Sequence, residues 1–235
     1  AIIMADMGGK VVLEVQQPLK RLLSRIDSRI QVISSNEFAP ITDYACPLLN
    51  LPHILNTTLE SIPTPESYLG QNRNTAPIKS NQVKSIGLVW RGNNKHKNDK
   101  NRSIPFDTLY PLIETGLSFT TLQKGISSED LTEVKSFNNI YVADQMINDF
   151  EDTYRIIEDL DLVITVDTSI AHLSGAMGKK TWILLPFTPD YRWMLDREDS
   201  PWYSSVKLYR QDETRLWEPV IKRVAEDLKR FANTA

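Results

Sequence analysis

Residues 161–186 read DLVITVDTSIAHLSGAMGKKTWILLP, and the fold follows from them. Leu162 to Val166 is a short β-rich apolar run of the kind a parallel sheet buries on both faces, and the polar residues Asp167, Thr168 and Ser169 end it at once. Ser169 is expected to cap a helix running to Gly175 or Met177, because a hydroxyl there accepts from the orphan N–H groups of the first turn. Gly178 and two lysines supply the stop, and Thr181 to Leu185 is a second apolar strand. The unit is β-α-β, and its first junction lies at the carboxyl edge of a parallel sheet, where open α/β folds bind ligands. The free N–H groups of the helix start favour an anion, with the hydroxyls of Thr168 and Ser169 as further donors. A phosphate is the expected guest.

Working upstream, the same alternation predicts strand 86–90, a polar basic loop, helix 106–115, strand 118–122, helix 128–137, strand 140–143 and helix 150–160. Downstream come an aromatic loop over 187–203, strand 206–209 and a last helix over 216–231. Such a series is a doubly wound sheet with helices on both faces. Residues 10–15 (KVVLEV), a helix opened by Pro18 and running to about Ile26, and strand 30–34 begin another α/β unit. Residues 43–58 suggest a short helix plus a buried turn. Residues 60–84, with prolines at 63, 65 and 77 and many polar residues, read as a linker, which puts a domain boundary near residue 80. The expected organisation is therefore a partial first domain over 1–80 and a ligand-binding domain over 81–235. The opening AIIMADMGGK reads as the end of a helix running into a turn and a strand, so a preceding β-α element is expected outside this chain.

Composition narrows the function. A net charge of -3 argues against a dedicated nucleic-acid or membrane-surface protein. Cys46 is the single cysteine, which excludes an internal disulfide and fits a reducing cytoplasm. No apolar run approaches the roughly 18 to 20 residues of a membrane span. There is no Gly-x-Ser-x-Gly, no Walker loop, no Gly-x-Gly-x-x-Gly and no His/Cys cluster at metal-ligand spacing, so neither a metal nor a cofactor is expected.

The candidate site residues follow the strand ends. Asp167, Thr168 and His172 allow two readings: a diphosphate on Thr168 and the helix start with His172 as donor or cation, or a capped helix with Asp167 bonded to backbone and His172 buried. The loop RGNNKHKNDKNRS, residues 91–103, sets Arg91, Lys95, Lys97, Lys100 and Arg102 against one acid, Asp99. It could close over phosphates or simply be a solvated basic loop, and Arg102 is the residue expected to touch phosphate. Gln123, Asp144 and residues 148–153 (NDFEDT) ring the same crevice and could meet a base and ribose, with Asn148, Asp149 and Phe150 nearest. Asp149 could equally cap the next helix. The tryptophans and tyrosines of 187–203 form a lid, an acceptor surface or, as the simplest single explanation, packing against the other domain. Asp159 and Asp161 form an Asp-x-Asp, discounted as a metal site because it enters a strand at the opposite edge.

Taken together, VDTSIAHL, GLVWRGNNKHKNDKNRSIP, DFEDT and the aromatic loop resemble the glycosyltransferase-like domain that follows tetratricopeptide repeats in bacterial proteins. That domain is similar to glycosyltransferase family nine, the ADP-heptose lipopolysaccharide heptosyltransferases, and more distantly to O-linked N-acetylglucosamine transferases. The resemblance covers 84–211 most strongly. It implies a GT-B architecture of two Rossmann-like domains, the first incomplete here, and inverting, metal-independent sugar transfer from a nucleoside-diphosphate sugar to a glycan, lipid-linked or protein acceptor. It implies that Asp167, Thr168, Ser169 and His172 belong to the diphosphate site, that Arg102 is a basic phosphate ligand, with Arg102 and His172 stabilising the leaving group, and that 148–150 lie near the nucleoside. It also implies that the last helix packs back on the first domain, and that tetratricopeptide repeats occur in a longer parent chain. The acidic base of heptosyltransferases has no counterpart in this sequence. A non-catalytic binding module and a sugar-nucleotide epimerase of the same architecture are the alternatives.

Overall fold

The computed structural model describes residues 1–69 and 83–233. The chain is α/β, with one two-stranded and one six-stranded sheet among the described residues, both wholly parallel. The first unit comprises α1 (Ile2–Asp6), β1 (Val11–Val15), α2 (Gln17–Leu23), β2 (Ile30–Ser34) and the short α3 (Leu51–Ile54). The second runs β3 (Ser85–Val89), α4 (Asp99–Arg102), α5 (Tyr110–Ile113), β4 (Ser118–Thr121), α6 (Ser128–Val134), β5 (Ile140–Val142), α7 (Phe150–Glu158), β6 (Leu162–Val166), α8 (Ser169–Ala176), β7 (Thr181–Leu185), β8 (Val206–Arg210) and α9 (Glu218–Ala232). Its strand order is β5-β4-β3-β6-β7-β8. The order reverses beside β3, so the crevice at the carboxyl ends of β3, β4 and β6 is the topological switch point expected to take a ligand.

All five residues of β6 and all five of β7 are buried, which is why neither strand shows polar alternation. On one face Trp90, Phe106, Leu112, Trp182 and Tyr209 pack with α9; on the other, Leu122, Tyr154, Ile157 and Leu173 pack with Leu22 of the first unit. Arg25 reaches the nearly buried Glu151 at 2.6 Å, and Arg21 pairs with Asp149 and Asp152. Helix α2 thus lies against α7 through an apolar centre and an ionic rim. The hydrogen bond from Arg21 holds the Asp152 carboxyl down to about 2.

The buried residues of α9, Val220, Ile221, Val224, Ala225 and Leu228, all join the core of the second unit, so among the described residues this helix covers its own sheet. Its amphipathic stripe is consumed by Trp182, Tyr209 and their neighbours. Residues 43–58 contain the short α3 but no buried turn, since Tyr44 is 93% and Leu49 78% exposed. The expected boundary near residue 80 lies outside the described residues, yet the described end of the linker is docked. Tyr68 N–H donates to Ala176 O at 2.7 Å, the Tyr68 hydroxyl to Trp202 O at 2.9 Å, and its ring meets Tyr203 edge-on at 6.0 Å. Gly178 sits at φ +70°, and a Cβ there would lie 2.1 Å from Glu66 O, so the helix stop doubles as the seat of this segment.

Candidate functional site

The switch point opens into a cleft of about 860 Å³, lined from the first unit by Pro18 and otherwise by residues at strand ends and helix starts of the second. Of the expected site residues, Arg102, Gln123, Asn148, Asp149, Phe150, Thr168 and Ser169 line it, while Asp144, Asp167 and His172 do not.

Thr168, not Ser169, is the cap of α8: its backbone is extended and its Oγ1 accepts from Ile170 N–H at 3.3 Å. The strand ends at Val166 as expected, but the helix starts one residue earlier than the hydroxyl pattern suggested, and Ser169 begins it, exposed, at the cleft. A second hydroxyl, Thr165 Oγ1, steadies Thr168 at 3.2 Å.

Arg102 is fixed by two contacts. Its Nη1 donates to Asp167 O at 2.7 Å, and its Nε to Asp99 Oδ1 at 3.2 Å. The basic loop is thus folded, with α4 as its centre and Ser103 Oγ accepting from Gly92 N–H at 3.0 Å. Gly92 gives this packing its space, because a Cβ there would lie 2.4 Å from both Arg102 Nη2 and Asp99 Oδ1 and would displace those side chains. The guanidinium is locked beside the helix start before any ligand arrives, which lowers the ordering cost of binding.

Gln123 is buried, and its Oε1 accepts from the backbone N–H groups of Trp90 at 3.3 Å and Arg91 at 2.9 Å. That fixes the amide orientation and leaves Nε2, which has no partner among the described residues, as a donor at the cleft wall. Across the cleft, Asp149 caps α7 by accepting from Glu151 and Asp152 N–H, so the capping alternative holds for this residue. Asn148 is tied to Asp152 through its own N–H and Nδ2. Asp144 is turned away to receive Gly125 N–H at 2.7 Å, because the turn after β4 needs an acceptor there.

His172 is committed elsewhere. Its ring stacks on the fully buried Trp193 at 5.0 Å, 16° from parallel, and its Nδ1 lies 3.1 Å from the Tyr203 hydroxyl. The buried alternative for this residue is the one its geometry supports, and Trp193 packs with Ala171, Ile183 and Leu208 of its own unit, not with the other domain. Burial pushes the Tyr203 phenol up to about 12, so it stays protonated and can donate to neutral imidazole. Burial also lowers the His172 pKa from its ordinary 6.5, with Asp167 opposing. A depressed histidine pKa means that the unfolded chain binds the proton more tightly. The contribution is therefore complete above pH 6.5 and is lost as pH falls from there through the folded value. Thermal melts between pH 7.5 and 5 should show wild type losing more stability on acidification than His172→Gln, and parallel curves would refute this.

One network had no sequence signal. Asp130, buried at the start of α6, accepts from Trp90 Nε1 at 2.8 Å and from both Arg91 Nε and Nη2 at 2.5 and 2.9 Å. Arg91 is thereby a brace of the cleft's edge, and a Trp-Arg pair followed by a lone acid in a distant helix start is too common a pattern to announce the contact.

No protein-family model matches the chain. The protein FlbA of Caulobacter vibrioides is 28% identical over 152 residues, which cover 63% of this chain and 25% of that protein. The match thus spans about a quarter of the curated relative's length. Among solved structures, E. coli ADP-heptose lipopolysaccharide heptosyltransferase II is similar at 15% identity and a TM-score of 0.49, covering 65% of this chain and 47% of that one. E. coli heptosyltransferase WaaC with ADP-2-deoxy-2-fluoro heptose follows at 13% identity and 0.47, covering 92% and 71%.

Within the cleft the chemistry is uneven. The end nearest α8 offers a guanidinium, two hydroxyls and the helix start, all suited to an anion. The end nearest α7 offers Phe150, Ile147 and the Gln123 amide, suited to a flat polar ring.

Proposed function

We propose that this chain is a glycosyltransferase-like domain that binds a nucleoside-diphosphate sugar in the cleft. The observation that carries the reading is Arg102, held by Asp167 O beside the capped start of α8, facing the same space as Ser169. The diphosphate lies on these groups and the nucleoside extends toward Gln123 and residues 148–150. In inverting transfer an acceptor hydroxyl attacks the anomeric carbon from the opposite face while the C–O bond to the diphosphate breaks. Arg102 and the α8 N–H groups then stabilise the charge that develops on the leaving group. A dipole alone contributes about 0.3 to 1 kcal/mol and a charged hydrogen bond about 1.5 to 3, so Arg102 dominates. His172 has no part in this step, since its ring is held by Trp193 and Tyr203. The sequence resemblance over 84–211 supports the sugar-nucleotide class, and a bacterial, tetratricopeptide-bearing parent and a cytoplasmic site remain part of the proposal.

Binding without transfer is the second reading. It is favoured by two of the three carboxylates that line the cleft, because Asp99 is paired with Arg102 and Asp149 with Arg21 and the α7 start, which leaves Glu129 as the third.

Thermal unfolding against ADP, UDP, GDP and their sugars tests the site. A cognate ligand at 100 times its Kd should add about 2.7 kcal/mol. No shift with any of them would reject the reading, and a shift without sugar release or transfer to any acceptor would favour the binding module.

A further inference from the structure

A second cleft, of about 620 Å³, opens on the far side of the basic loop, beyond the ends of β3, β7 and β8. Its floor is Trp217 and its wall is Phe187, which is 40% exposed. Three cations face it: Lys97, Lys100 and Arg215. Arg91 and Asp99 also reach it, but each is already paired, with Asp130 and Arg102.

The cleft is built, not incidental. Gln211 is buried, and its amide joins the two walls: Oε1 accepts from Phe187 N–H at 3.0 Å, and Nε2 donates to Arg215 O at 2.8 Å. Asp212 turns the chain by accepting from Thr214 N–H at 3.0 Å, and Arg215 then adopts φ +57°, a region costly for a side-chain-bearing residue. The outcome is a guanidinium 5.4 Å from the centre of the Phe187 ring. That guanidinium and the ammonium groups of Lys97 and Lys100 have no carboxylate partner among the described residues. Three uncompensated cations in a chain of net charge -3 mark a local reversal of sign beside an aromatic face.

We propose that this second cleft binds an anionic sugar, its carboxylate or phosphate on Lys97, Lys100 and Arg215 and its ring against Phe187 and Trp217. An arginine fork recognises either anion, and an aromatic face packs on the C–H face of a pyranose. The inference stands apart from the nucleotide reading, since the two clefts share only the intervening loop and neither Thr168 nor Gln123 lines the second.

Isothermal titration with glucose 1-phosphate and glucuronate separates the phosphate from the carboxylate source, with glucose and inorganic phosphate as controls. At least one anionic sugar should bind more tightly than either control, with an affinity that falls as salt rises. Arg215→Gly suits the positive φ and removes the cation, and Lys97→Gln with Lys100→Gln changes only exposed side chains. Each variant should weaken binding about tenfold or more. Saturating ADP should leave the affinity unchanged, whether or not ADP itself binds. Silence with both anionic sugars, affinity no greater than for inorganic phosphate, indifference to both variants, or displacement by ADP would overturn the proposal.

Discussion

Arg102→Ala should lose nucleoside-diphosphate affinity by roughly 10- to 150-fold, the equivalent of one charged hydrogen bond. The side chain is largely buried, held by Asp167 O and Asp99, and aimed at the cleft with Gly92 yielding the space. At a ligand concentration giving wild type about 2.7 kcal/mol, a hundredfold loss leaves about 0.4 kcal/mol, a difference visible in one pair of melts. Arg102→Lys should recover only part of the affinity, because an ammonium cannot span Asp167 O and a phosphate as a planar fork does. Thr168→Val serves as the contrasting variant. It removes the α8 cap and should cost about 1 kcal/mol of stability without ligand, whereas Arg102→Ala should change the unliganded melt less. Equal diphosphate affinity in wild type and Arg102→Ala would remove the residue from the site.

Asp130→Ala should destabilise the fold by about 2 to 3 kcal/mol, measured by urea unfolding. Its carboxylate is the acceptor for the indole N–H of Trp90, a fully buried side chain packed on Phe106 at 5.1 Å, and for two nitrogens of Arg91. Truncation strands a donor inside the core, which costs more than the bond itself contributed. Asp130→Asn retains one acceptor and should cost less. Burial pushes the Asp130 carboxyl up, but the bonds from Arg91 and Trp90 outweigh it and hold the pKa below the ordinary 3.8. The ion pair's contribution is therefore present above that value and lost as pH falls through the folded one, a component that Asp130→Asn should lack. Trp90 and Arg91 are also the donors that orient Gln123, so the alanine variant should show a smaller ligand-induced shift as well. A stability change under 0.5 kcal/mol would mean the network is not formed.

The β-α-β unit was legible because its evidence is local. Apolar runs of five residues, a hydroxyl at a strand end and a glycine at a helix stop each act within a few positions, and 161–186 contains all of them. Parallel pairing and the ligand edge follow from that alternation, so the neighbourhood of Thr168, Ser169, Gln123 and Asn148 could be named from the strand ends alone. Where two hydroxyls adjoin, as at 168 and 169, the pattern could not say which one caps, since the choice depends on where β6 leaves the sheet.

Orientation was not local, and there contacts between distant segments made the choice. His172 sits one turn into α8, where either the cleft or the core is within reach, and only the arrival of Trp193 and Tyr203 from the loop after β7 draws it inward. The apolar stripe of α9 could cover either unit, and the tryptophan and tyrosine on β7 and β8 settled it. Asp130 and Arg91 are 39 residues apart, and Gln211 joins walls that the sequence separates by 24 and 4. Apolar periodicity and turn residues suffice for the α/β alternation and for the edge where chemistry can occur. Which side chains face that edge was decided by packing between segments distant in the chain, because a rotamer is chosen by its neighbours in space.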